Sequence, residues 1–178
     1  LLHVTASDTG IAPHTSAQIT LEREGTNYLQ FLTAEDGTSG ILFGDGSDID
    51  VGKVTYDHNI PAMQFWVEAS ERMRIDSSGN VIVGKTVINS ATVGVEARAD
   101  GRLFSGATSS YSAFFNRLSD DGDIVIFAKD DTTVGSIGSE GGNSIYIVND
   151  DAGLRFSGGS NCIIPCGVAG ASSDGLLD

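Results

Sequence analysis

The side chains in this sequence that could bind or transform a ligand fall into a few small groups. The acidic stretch Asp45-Gly46-Ser47-Asp48-Ile49-Asp50 has the look of a cation loop. Such a loop sets oxygen ligands on alternate residues before a glycine, and here Ile49 stands at a ligand position. The stretch therefore reads as a solvated turn, and no metal ligand is assigned. Glycoside hydrolysis needs two carboxylates about 5–10 Å apart. Twenty-four Asp and Glu residues supply many such pairs and single out none. His3, His14 and His58 are scattered, and no serine occupies a G-x-S-x-G elbow, so a hydrolytic triad has no support. Gly135-Ser136-Ile137-Gly138-Ser139-Glu140-Gly141-Gly142 lacks the Lys-Ser/Thr pair of a phosphate loop and reads as a hairpin turn. Cys162 and Cys166 form a C-x3-C pair with no further Cys or His nearby, which argues for buried or free thiols, with a disulfide between them as the alternative, rather than a zinc site. The chain is expected to be no enzyme and to carry no cofactor.

What remains is recognition. An aromatic face stacks on carbohydrate C–H groups while a polar rim supplies hydrogen bonds. Tyr56 and His58, two residues apart, are the ligand-binding candidates on this ground. Trp66 lies in the apolar run Met63-Gln64-Phe65-Trp66-Val67 and reads as core. A formal charge of −14 repels phosphate backbones and anionic lipid, so nucleic acid is excluded as a partner. No apolar run approaches the ~18 residues of a membrane span, so membrane insertion is excluded too. Leu1-Leu2-His3-Val4 has neither the basic start nor the length of a signal peptide. The chain reads as cut from something longer.

The elements that position these residues are short strands. The sequence contains 23 Gly and 3 Pro, with apolar runs punctuated by Gly, Asp, Ser and Asn. In Glu71–Lys85, Met73 and Ile75 alternate with Arg72, Arg74 and Asp76. Val81 and Val83 resume the alternation after Ser77-Ser78-Gly79-Asn80, so the stretch is a whole hairpin. Gln18–Arg23 and Tyr28–Thr33 read as a second hairpin about Gly25-Thr26-Asn27. Asp100-Gly101 turns a third within 93–104. No window of about 11 residues keeps helical spacing, so almost no helix is expected.

The pattern repeats. Leu154-Arg155-Phe156 stands where Met73-Arg74-Ile75 stood, and Gly159–Ile164 where Ser78–Val83 stood, at an offset of 81 residues. Upstream, Thr133-Val134-Gly135 matches Thr38-Ser39-Gly40 at an offset of 95, which leaves a gap in the second copy. The expected organisation is all-β, with two tandem modules of short antiparallel strands and hairpins. The first spans 1–88 and carries an extra excursion at about 44–61. A connecting hairpin follows at 89–107, then a shorter module at 108–168 and an exit segment at 169–178 towards a further C-terminal domain. Modules of this size are marginal alone, and open-edged glycine-rich strands favour copies that wrap together and remove one another's edges.

Three stretches carry a family resemblance: E-R-M-R-I-D-S-S-G-N-V-I-V-G-K at 71–85, G-D-I-V-I-F-A-K-D-D-T-T-V-G-S-I-G at 122–138, and D-A-G-L-R-F-S-G-G-S-N-C-I-I-P-C at 151–166. With F-G-D-G-S-D-I-D-V-G-K-V-T-Y-D-H at 43–58, the chain resembles the β-structured shaft of bacteriophage tail fibres, just ahead of an endosialidase-type intramolecular chaperone. The resemblance implies an elongated, intertwined homotrimer in the virion, seated among other tail and fibre proteins. It also implies a structural role supporting host recognition, or else a receptor-binding module that meets host surface polysaccharide. A self-cleaving chaperone domain would follow Asp178, and its Ser-Lys chemistry falls on no residue of this chain.

Overall fold

The computed structural model describes residues 2–5, 10, 12, 14–149 and 151–167. The expected exit segment 169–178 lies outside them. Among the described residues there are fourteen strands and no helix. The chain divides into two compact units, Leu1–Ser112 and Ala113–Asp178.

The first unit opens with β1 (Leu2–Thr5) and β2 (Ile19–Glu22), which pair in parallel, Leu2 opposite Ile19 and Thr5 opposite Glu22. The hairpin expected between Gln18–Arg23 and Tyr28–Thr33 does not form. Alternation marks β2 as a strand but does not choose its partner, and 28–33 is neither strand nor helix.

A seven-stranded antiparallel meander follows: β3 (Thr38–Phe43), β4 (Gly52–Asp57), β5 (Ala62–Val67), β6 (Ser70–Asp76), β7 (Val81–Val83), β8 (Gly94–Ala97) and β9 (Leu103–Gly106). The β6–β7 hairpin is the one written in Glu71–Lys85. Asp76 closes it by accepting hydrogen bonds from the backbone N–H groups of Ser78 (3.0 Å) and Asn80 (2.9 Å), with Gly79 at φ +83° in the turn. Asn80 Oδ1 accepts from the Ala99 N–H (3.0 Å), which ties this turn to the one between β8 and β9. The stretch 44–61 supplies an interior strand, β4, together with the loop that enters it. The hairpin within 89–107 extends the same sheet, as Val81 faces Ala97 and Val83 faces Val95.

The second unit is a five-stranded antiparallel meander of β10 (Gly122–Lys129), β11 (Thr132–Glu140), β12 (Ser144–Val148), β13 (Gly153–Ser157) and β14 (Cys162–Cys166). By place in the sheet, β11 to β14 answer β4 to β7. Thr133–Gly135 therefore lies on the second strand of its sheet, whereas Thr38–Gly40 opens the first strand of the other. The stretch 135–142, expected as a turn, is strand as far as Glu140, and only Gly141 and Gly142 turn, at φ +64° and +71°. The reason lies across the ladder. Gly138 faces Tyr146, whose ring covers it, and a Cβ on Gly138 would collide with the Tyr146 hydroxyl.

Candidate functional site

Side chains directly opposed in a ladder share a face. In the seven-stranded sheet one such row runs Gly40, Thr55, Gln64, Arg74, Ile82, Glu96, Phe104. Thr55, Gln64, Ile82 and Glu96 are all buried, Glu96 completely. Neighbouring long side chains cover this face and satisfy it. Thr55 Oγ1 donates to Gln64 Oε1 (3.2 Å), and Gln64 Nε2 donates to Glu71 Oε2 (3.2 Å). Arg74 pairs with Glu71. Glu96 receives Lys85 (2.7 Å), Arg98 (2.6 Å) and the Asn89 N–H (2.7 Å). The Lys85 ammonium first, and then Arg98 and the Asn89 N–H, hold the Glu96 carboxyl down at about 2 against the cost of its burial.

The opposite face is apolar. One row is Ile41, Val54, Phe65, Met73, Val83, Val95, and the next is Tyr56, Met63, Ile75, Val81, Ala97, Leu103. Ile41, Tyr56, Met63, Ile75, Val83, Val95 and Leu103 are exposed there.

The five-stranded sheet repeats this division with different chemistry. Its closed face holds Tyr146 and Cys166, both fully buried, with Val148 and Ser136. Asp123 Oδ1 accepts from the Tyr146 hydroxyl (2.9 Å) and from Ser136 Oγ (2.5 Å), and these bonds, Ser136 first, lower the Asp123 pKa. Burial, reinforced by the bond to Asp123, pushes the Tyr146 hydroxyl up to about 12. Arg155 pairs with Glu140 at 2.6 Å. Ile145, Ile147, Leu154, Phe156 and Ile163 occupy the other face, exposed.

Tyr56 and His58 are brought together. Their ring centroids are 4.8 Å apart at an interplanar angle of 75°, an edge-to-face contact. The His58 N–H donates to the Gly37 carbonyl (3.0 Å), while Asp57 caps the following turn through Asn59 and Ile60. Both rings line a shallow pocket of about 360 Å³ with Phe31, Ile41, Val54 and Met63. Phe31 belongs to that pocket although nothing in the spacing of the sequence places it there. Tyr56 also stands in an apolar row, beside Met63.

Trp66, expected in the core, is half-buried and has the Lys53 ammonium 5.6 Å from its ring centroid. The ladder to β6 is irregular between Phe65 and Trp66, and Trp66 stands between Lys53 on β4 and Glu71 on β6. In the acidic turn, Asp45 Oδ1 accepts from the Ser47 and Asp48 N–H groups, Asp48 Oδ1 from the Asp50 N–H, and Asp50 pairs with Lys53. These carboxylates shape the loop rather than converge on a point. Among the described residues no three His, Cys, Asp or Glu side chains form a metal-binding group.

Cys162 and Cys166 are free thiols at the two ends of β14, the first exposed and the second buried. Four residues along a strand separate them by about 13 Å, beyond disulfide reach. Burial pushes the Cys166 thiol pKa up, which makes it a packing group. His14 is exposed, and the side chain of His3 lies outside the described residues.

No protein-family model, curated protein or solved structure matches this chain.

Proposed function

We propose that the chain is a structural segment of a bacteriophage tail fibre, in which three copies associate through their apolar sheet faces into a stiff β-rod that supports host recognition. One observation carries this reading. In each sheet one face is closed, by paired polar and charged side chains in the seven-stranded sheet and around Tyr146, Val148 and Cys166 in the five-stranded one, while the opposite, apolar face is left to solvent. An uncovered apolar surface of this extent, on both sheets, marks an association site. With strands about 4.8 Å apart, the seven-stranded face alone is roughly 30 Å wide. The resemblance of the 71–85, 122–138 and 151–166 stretches to fibre shafts supports the setting: the virion, with other tail and fibre proteins as neighbours. The role is mechanical rather than catalytic.

Light scattering on the purified chain tests this. The expected mass is near three times the 18.5 kDa of one chain. A folded species at 18.5 kDa would overturn the reading.

The edge-to-face pair of Tyr56 and His58 favours a second reading, a receptor-binding module that contacts host surface glycans through this pocket. The two readings compete for one surface, because Tyr56 lies in the row that assembly would cover. Glycan or host-cell binding by the assembled chain, lost in Tyr56→Ala at unchanged mass, would move the assignment to the second reading.

A further inference from the structure

The segment Tyr28–Thr33 has the composition of a strand but no strand partner among the described residues. It runs Tyr-Leu-Gln-Phe-Leu-Thr, without proline, and among the described residues no backbone hydrogen bond involves it. Six consecutive donor and acceptor pairs are thus left to solvent, an uncommon state for a β-prone apolar stretch. Tyr28, Leu29 and Leu32 are 83%, 62% and 84% exposed. Phe31 alone leans on the chain's own sheet, in the pocket with Ile41, Val54 and Met63. In an extended conformation Tyr28 and Leu32 would point to one side and Leu29 and Phe31 to the other, and a strand apolar on both sides is one that is covered on both.

The surroundings fit a receiving partner of the same kind. The seven-stranded sheet ends in edge strands β3 and β9, and its apolar face is open. The segment itself is uncharged, so it can approach a chain of net charge −14 without setting like charges against each other.

We infer that Tyr28–Thr33 is an exchanged strand that pairs along an open edge of the seven-stranded sheet of a second copy and adds its apolar side chains to that copy's open face. This rests on the self-assembly reading and specifies where the copies interlock.

Amide hydrogen exchange on the full chain, run beside light scattering, separates the two claims. If the inference holds, the chain assembles and exchange at 28–33 slows about 100-fold or more relative to an unstructured peptide, together with protection along the outer side of β3 or β9. Leu29→Asp combined with Leu32→Asp, and separately Gln30→Pro, then abolish that protection. All three positions are exposed, so the isolated fold is kept, and the proline removes an edge donor without adding charge. Assembly with free exchange at 28–33, or with protection unchanged in both variants, overturns the exchanged strand and leaves self-assembly standing. A monomeric wild-type chain overturns both.

Discussion

The two sheets solve one problem with different chemistry. Each keeps a closed face and an open face, and in each the open face is apolar. The seven-stranded sheet closes its polar face with ions: Glu96 between Lys85 and Arg98, and Glu71 against Arg74. The five-stranded sheet closes its own around a neutral phenol, Tyr146, which shares Asp123 with Ser136. A buried ion pair holds its partners firmly once formed and is costly to leave half-made, whereas a buried aromatic ring contributes area as well as a hydrogen bond. The cohesion of the isolated seven-stranded sheet therefore lies largely on a face of paired polar groups, and that of the five-stranded sheet on a small buried cluster of Tyr146, Val148 and Cys166. Many aliphatic side chains of the two opposite faces, Ile41, Val83 and Ile147 among them, stay exposed.

The sharpest way to break this comparison is Tyr146→Ala. Removing a fully buried ring from a sheet with few other buried residues should cost about 3–5 kcal/mol and open the second unit. Amide exchange along β12 should accelerate. Fluorescence of Trp66, the single tryptophan and a reporter of the other sheet, should keep its wild-type urea midpoint. A shifted Trp66 transition would mean that the two sheets do not owe their stability to separate faces.

Next comes Glu96→Gln, which keeps the shape and deletes the charge that Lys85 and Arg98 surround. The Trp66 transition should move to lower urea while β12 exchange stays unchanged. The acid limb should follow the same group. The carboxyl of Glu96 is lowered from 4.5 to about 2, so its contribution is complete above about 4.5 and is lost as pH falls towards 2. Wild type should lose first-sheet stability across that window, and Glu96→Gln should show a flatter profile. Equal acid limbs in the two proteins would remove Glu96 from the account.

How far the sequence disclosed this arrangement can be judged from particular residues. The hairpin at Glu71–Lys85 was legible because alternation, a capping Asp76 and Gly79 all agree, and Asp100-Gly101 marked the β8–β9 turn for the same reason. Two turns gave no such signal. Glu68-Ala69 and Asp130-Asp131 adopt positive φ without glycine, held there by the strands they join. The partner of β2 was illegible because alternation describes a face and not a neighbour. Glycine misled at 135–142, where Gly138 serves a ring across the ladder rather than a turn. Tyr56 and His58 could be read as neighbours from spacing alone, but Phe31 reaches them through tertiary structure. Glu96 carried a faint signal, Arg98 two residues on, just past the end of β8. Lys85 comes from the loop after β7 and could not have been paired with Glu96 from sequence.

Gly138→Ala probes that aromatic contact more gently. A methyl group would meet the Tyr146 hydroxyl and the Gly122 carbonyl, so the ring must move. A loss of about 1–3 kcal/mol is expected, read from β12 exchange, with no change at Trp66. The same substitution at Gly46, where an added Cβ meets nothing within 4 Å, should leave β12 exchange unaltered and serves as the control.

The smallest change sharpens the comparison most. Tyr146→Phe keeps the ring over Gly138 and removes only the bond to Asp123, which retains Ser136. At neutral pH the cost should be about 1 kcal/mol. At high pH the order should invert. The hydroxyl is raised from 10.0 to about 12, so its contribution is fully present below about 10 and is lost as pH climbs towards 12, where ionisation would put a phenolate beside the Asp123 carboxylate. Tyr146→Phe has no group to ionise there, and its β12 protection should fall less between pH 10 and 12 than that of wild type. Phenolate absorbance should show one fewer late-titrating tyrosine. If both proteins lose β12 protection in parallel, the phenol is only a packing group, and the second sheet is closed by its area alone.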